Sequence, residues 1–103
     1  MSSHPYTQLD LSDGRIVRTF EASVADHELE WHMDHHDRRV RVLEGGDWKL
    51  QLESGLPFGM RVDETYFIPK KSWHRVIKGA GNLKIEIEEL REFSDYRAVE
   101  NLT

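Results

Sequence analysis

Apolar and polar residues alternate in short runs along most of this chain, and none of the runs before residue 90 has the spacing of a helix. Trp48-Lys-Leu-Gln-Leu-Glu and Leu83-Lys-Ile-Glu-Ile-Glu-Glu-Leu are the cleanest cases, the second placing Leu83, Ile85 and Ile87 on one face. A period of two points successive side chains to opposite faces of a strand, so each run can bury one face and wet the other. Turn residues separate the runs: Ser12-Asp13-Gly14, Glu44-Gly45-Gly46-Asp47, Ser54-Gly55 and Gly79-Ala80-Gly81-Asn82. The pattern predicts strands over 15–21, 28–33, 39–43, 48–53, 60–62, 65–68, 73–77 and 83–90. Residues 1–13, 22–26 and 56–59 are expected as connections, and from Glu92 onward a short helix or a loose tail. About eight short strands at this spacing mean an all-β protein, an antiparallel sandwich or a small antiparallel β-barrel.

The 103 residues are expected to form one domain, 1–103, with its core over about 15–90. A chain of this size buries roughly two thirds of the surface it exposes when unfolded, enough for one core. The formal net charge of -5 gives a nucleic-acid partner no electrostatic support. The absence of cysteine removes disulfides, zinc ribbons, thiol nucleophiles and iron–sulfur clusters together. The first residues carry no basic, apolar leader, and no apolar run approaches membrane-spanning length. A soluble cytoplasmic protein with no membrane partner is the expectation.

Chemistry concentrates between Glu30 and Gly46, which holds His32, His35 and His36, Asp34 and Asp37, and Arg38, Arg39 and Arg41. Imidazoles and carboxylates ligate divalent metals, and imidazole moves protons near neutral pH. A second stretch, Tyr66-Phe-Ile-Pro-Lys-Lys-Ser-Trp-His-Arg-Val76, answers it downstream. Val40 and Val42 are the expected inward pair of their strand. Unless the chain bends around Asp37, Arg38, His36, Asp34 and His32 share that face. His74 and Val76 share a face, with Trp73, Arg75 and Ile77 on the other. Both histidines then point into a barrel, with Trp31 and Trp73 outside.

At these two stretches the chain resembles the cupin superfamily, specifically a small single-domain bacterial-type cupin with a degenerate metal motif. The family's first motif reads His-x-His, three or four residues, Glu, six residues, Gly. Counting back from Gly45, after Val42-Leu43-Glu44, puts Arg38 at the glutamate and His32 and Asp34 at the His-x-His pair. The second motif reads Gly, five residues, Pro-x-Gly-x-x-His. Pro69 and His74 keep that spacing, while Asp63 and Lys71 stand where the two glycines would. The resemblance implies a double-stranded β-helix of the jelly-roll type, often a homodimer, with a site inside the barrel mouth.

His32, Asp34, His36 and His74 would then be the metal ligands, with Asp37 also near enough to replace the missing glutamate. The ion would be Fe, Mn, Ni or Zn. The alternative is a polar, hydrogen-bonded interior without metal. Arg38 has two readings: an anion clamp for a small-molecule ligand, or an internal salt bridge to Glu28, Glu30 or Asp34. Tyr66 is a candidate cavity hydroxyl, and otherwise part of its strand. Glu86, Glu88 and Glu89 read as a charged outer strand face. Leu29, Trp31 and Trp73, opposite the histidines, would leave an apolar patch that a two-fold dimer covers. A metal-dependent protein acting on a small carboxylate or sugar-like molecule, a non-catalytic binding or sensing module, and a storage or structural dimer all fit. No catalytic residue is assigned.

Overall fold

The structure, a computed structural model, describes residues 4–45 and 47–90, which form eight antiparallel strands in two sheets. In chain order these are β1 (Thr7–Asp10), β2 (Ile16–Phe20), β3 (Asp37–Glu44), β4 (Lys49–Leu52), β5 (Phe58–Gly59), β6 (Thr65–Ile68), β7 (His74–Ile77) and β8 (Leu83–Leu90). The larger sheet has the order β1-β2-β8-β3-β6, the smaller β5-β4-β7. The architecture is a small antiparallel β-barrel of the jelly-roll type. No helix among the described residues is long and apolar enough to cross a membrane.

Residues paired across antiparallel strands point to the same face, so the register maps the inner face of the larger sheet in rows. Phe20 lies opposite Leu83, Arg18 opposite Ile85, and Ile85 opposite Val42. Ile87 lies between Ile16 and Val40, and Arg38 lies between Glu89 and Ile68. Burial follows this map. Val40, Val42, Ile68, Leu83, Ile85 and Ile87 are all buried, while Arg39 and Arg41, of the other parity, are exposed. Each fully buried aliphatic side chain contributes about 1.5–3 kcal/mol.

The smaller sheet closes the core with Leu50, and Trp48 fills the end beneath it. The Trp48 ring is fully buried, tilted against Phe20 at 5.7 Å between centroids, and its indole N–H donates to the Gly81 carbonyl at 2.6 Å. Gly45 follows β3 where a Cβ would lie 2.8 Å from Leu83 Cδ1, so a larger residue there would have to displace the end of that buried side chain.

Three expectations need correction. Residues 28–33 form no strand. Asp26–Glu28 is a single 3-10 turn, and only His32 makes a lone bridge, to His74. The Glu28 carboxylate accepts from Ala25 N–H at 3.4 Å and Leu29 N–H donates to the Asp26 carbonyl at 3.0 Å, local bonds that compete with a sheet ladder. The turn also rotates Leu29 into the core rather than onto the outside. Residues 7–10, read as connection, are the edge strand β1; its four residues are exposed, so no alternation announces it. The brief strand expected over 60–62 lies earlier, at Phe58–Gly59. The expected helix or tail from Glu92 lies outside the described residues.

Candidate functional site

Two connections cross between the sheets side by side, and they carry the polar cluster. The first runs from His32, bridged to β7, to Asp37, the start of β3. The second runs from the end of β6 to His74, the start of β7. His32 and His74 exchange both backbone hydrogen bonds, at 3.0 and 2.9 Å. The turn after Pro69 completes the clamp: Lys71 N–H donates to the Asp34 carbonyl at 2.7 Å, and Lys70 N–H to Asp37 Oδ1 at 2.7 Å. Lys71 reaches this position with φ of 59°, and Asp63 has φ of 71°. These are the two positions at which the cupin motif carries glycine, and both hold the left-handed backbone that glycine adopts most easily.

The clamp brings one donor atom each from His32, Asp34 and His74 within 4.8 Å of one another. Both imidazoles are oriented by carbonyls two residues earlier: His32 Nδ1 lies 3.3 Å from Glu30 O, and His74 Nδ1 lies 3.1 Å from Ser72 O. A carbonyl can only accept, so each neutral ring carries its proton on Nδ1 and leaves the Nε2 lone pair for the site. The rings meet edge to face at 4.2 Å between centroids. His74 Nε2 lies 3.3 Å from Asp34 Oδ2, so a lone pair faces a carboxylate oxygen unless a cation or proton lies between them. That same Oδ2 is buried without a hydrogen-bond partner.

The donor set fits a divalent ion. Tetrahedral or cis ligands at about 2.0–2.2 Å from one ion lie roughly 2.8–3.6 Å apart, so side-chain rotations that draw the three donors together close the group. His32 keeps substantial solvent exposure, but the desolvation its ring does undergo, and then the neighbouring His74, push its pKa down, which favours the neutral form able to ligate. Burial alone would raise Asp34, but its contact with His74 and the charge of Arg38 outweigh it and hold the carboxyl below its ordinary value.

Arg38 is 8 % exposed and projects inward with Val40. Its Nη1 pairs with Asp34 Oδ2 at 3.2 Å and its Nη2 with Glu89 Oε2 at 3.2 Å, while Nε has no hydrogen-bond partner. Of the acids expected for it, Asp34 is a partner. Glu89 was read as part of an outer face, but it follows Ile87 on the inner parity of β8. Glu88, of the opposite parity, pairs with Arg39 outside at 2.9 Å.

Beneath the cluster lies a cavity of about 380 Å³. Its floor is apolar, with Val40, Leu50, Val76, Ile85 and Ile87, and its mouth carries His32, Asp34, His74, Arg38 and Arg18. Tyr6 and His4 stand over one side. His36 does not join the His32–Asp34–His74 group, because the chain bends at residues 35–36 and breaks the alternation that would have aligned it. Asp37 is engaged by Lys70 N–H. Tyr66 does not line the cavity. Its ring packs at 5.3 Å from Phe58, and its hydroxyl accepts from Arg61 N–H at 3.0 Å. Arg18 and Glu89 were missed, although Arg18 shares the parity of Ile16 and Phe20, and Glu89 that of Ile85 and Ile87.

No protein-family model matches the chain, and no curated protein matches it. Solved structures do share its fold. A cupin domain from Bordetella pertussis Tohama I is 18% identical, with 88% of this chain and 99% of that one aligned at a TM-score of 0.61. The DMSP lyase DddQ from Ruegeria pomeroyi DSS-3 is 12% identical, with 85% of this chain and 47% of that one aligned at 0.67. HppE in its Fe(II) form is 14% identical, with 82% and 48% aligned at 0.62. The chain spans about half the length of the latter two proteins.

Proposed function

We propose that this chain, which has the cupin-superfamily fold, binds one divalent metal ion through His32, Asp34 and His74 and holds a small polar molecule in the cavity beside it. The observation that carries the reading is that two imidazoles oriented through Nδ1 and one largely buried carboxylate bring a donor atom each within 4.8 Å of one another. Two imidazoles and one carboxylate suit Fe(II), Mn(II), Ni(II) or Zn(II). Likeness in fold to HppE, solved with Fe(II), supports a metal in this fold. A bound cation supplies Lewis acidity to whatever oxygen enters the mouth. The chain's own contributions are orientation and exclusion of water. Glu30 O and Ser72 O fix the rings, the Lys71 turn fixes Asp34, and the apolar floor keeps the inner end of the cavity dry.

A second reading is favoured by Arg38, which sits on the same Asp34 oxygen a metal would use. With His74 protonated, Asp34 is shared by two cations and the site is complete without metal, leaving a metal-free binding module. Thermal melting of chelator-treated protein separates the two. Added Mn(II), Ni(II) or Zn(II) should raise Tm of the wild type, because a ligand that binds only the folded state stabilises it. His32→Ala and His74→Ala should lose the rise. A wild type indifferent to all three ions, while still binding a small anion, would favour the metal-free module.

A further inference from the structure

We infer that the ligand is a small monocarboxylate whose acid group is held by Arg18, an inference that rests on reading the cavity as a ligand site. Arg18 lies on the inner face of β2, opposite Ile85 and between Ile16 and Phe20 in parity. Arg18 is half-buried there, and a partly desolvated guanidinium favours a group that answers its charge. Its Nε donates to Gln8 Oε1 at 2.9 Å, and its carbon sits 4.2 Å over the Tyr6 ring. Both contacts orient the group, and neither neutralises it. Among the described residues no carboxylate forms an ion pair with Arg18. The other cavity guanidinium, Arg38, is already answered by Asp34 and Glu89. Arg18 therefore lines the cavity with a guanidinium whose terminal nitrogens are in no ion pair among the described residues, a planar fork that matches a carboxylate.

The rest of the lining chooses among anions. Glu28, Glu30 and Asp34 border the same space, so a doubly charged anion such as phosphate meets repulsion that a single charge largely escapes. The aliphatic floor offers nothing to the hydroxyls of a sugar. A volume of about 380 Å³ suits a short chain rather than a polycyclic body. Burial also lowers the Arg18 pKa, a sign that the group is partly removed from water, but an arginine stays charged at neutral pH.

Calorimetric titration of the full chain tests this with propanoate, butanoate and hexanoate, the neutral isostere butanamide, and inorganic phosphate. Each is run on Mn(II)-loaded and on chelator-treated protein. Butanoate should bind the wild type at least tenfold more tightly than butanamide or phosphate. Arg18→Gln should weaken butanoate at least tenfold, leave butanamide unchanged and retain the metal. Arg18→Lys, which keeps the charge but not the fork, should fall between and serves if the glutamine variant does not fold. Absence of binding by all three acids, equal binding of butanoate and butanamide, tighter binding of phosphate, or wild-type butanoate affinity in Arg18→Gln would overturn the inference. The metal reading is scored separately. A wild type that takes no metal but still prefers the acid through Arg18 sinks that reading and leaves this one standing. A metal-loaded protein without acid preference does the reverse.

Discussion

Arg38 shows most directly how one side chain sets the character of the site. It puts a permanent cation where the cupin motif has a metal-binding carboxylate, and it lies against Asp34 and Glu89. Removing one member of a buried pair leaves the other charge stranded. Arg38→Met should therefore cost about 3 kcal/mol in urea denaturation of the metal-free protein, at the lower end of the usual range because Glu89 reaches solvent. Wild-type stability in that variant would mean the pair is not holding the fold. The same residues give a pH dependence. His32 has its folded pKa lowered by burial and by His74, so the unfolded state binds the proton first and stability falls as pH drops below about 6.5. Asp34, also lowered, adds a further loss as pH falls below 3.8 towards its folded value. In chelator, denaturation midpoints should decline from pH 7 to pH 5, and His32→Gln should flatten that decline; an unchanged slope in His32→Gln would refute it. At this scale parity made much of the site legible: Arg38, His74 and Val40 face inward as alternation requires. Arg18 and Glu89 obey the same rule and were passed over because charge was read as exposure.

Among the elements, the strands with one wet and one dry face could be read from the sequence within a residue or two, as β4, β7 and β8 show. The segment before His32 could not, because local bonds of Glu28 and Leu29 override its alternation. Nor could β1, whose four residues are all exposed and which pairs with β2 through its backbone and the Gln8 side chain. The turn from Pro69 to Ser72 is the element that sets Asp34, and it holds Lys71 in the left-handed region at φ of 59°. That conformation costs an ordinary residue about 1–2 kcal/mol, and glycine's extra freedom when unfolded takes back roughly 0.5–1. Lys71→Gly should raise stability by about 0.5–1 kcal/mol with metal affinity kept. A destabilised variant would show that the lysine side chain, not the backbone, matters there.

On the scale of the whole molecule, the barrel leaves an apolar surface beside the site, with Trp31 bordering both it and the cavity. The bridge between His32 and His74 sets Met33 beside Trp73 and Trp31 beside Arg75, whose guanidinium lies 4.8 Å from the Trp31 ring. Trp31, Met33 and Trp73 are 38%, 41% and 46% exposed. Leu29, expected with them, is in the core. We propose that a second copy of the chain covers this patch, since large exposed apolar patches are uncommon on monomers. Sedimentation at micromolar concentration should give a dimer that Trp31→Lys dissociates; a monomeric wild type would rule it out. The fold itself was legible because strand spacing and the two motif stretches agree. The metal centre was legible only in part, since the bend at residues 35–36 that excludes His36 leaves no mark in the spacing.

Elemental analysis of protein purified without an affinity tag bears most directly on the metal centre. The wild type should carry one divalent transition metal per chain. His74→Ala and Asp34→Ala should lose it, and His27→Ala, altered at an exposed histidine that is not in the cluster, should keep it. Metal-free wild type after growth in metal-replete medium, or equal metal in all three variants, would show that His32, Asp34 and His74 are not a metal centre.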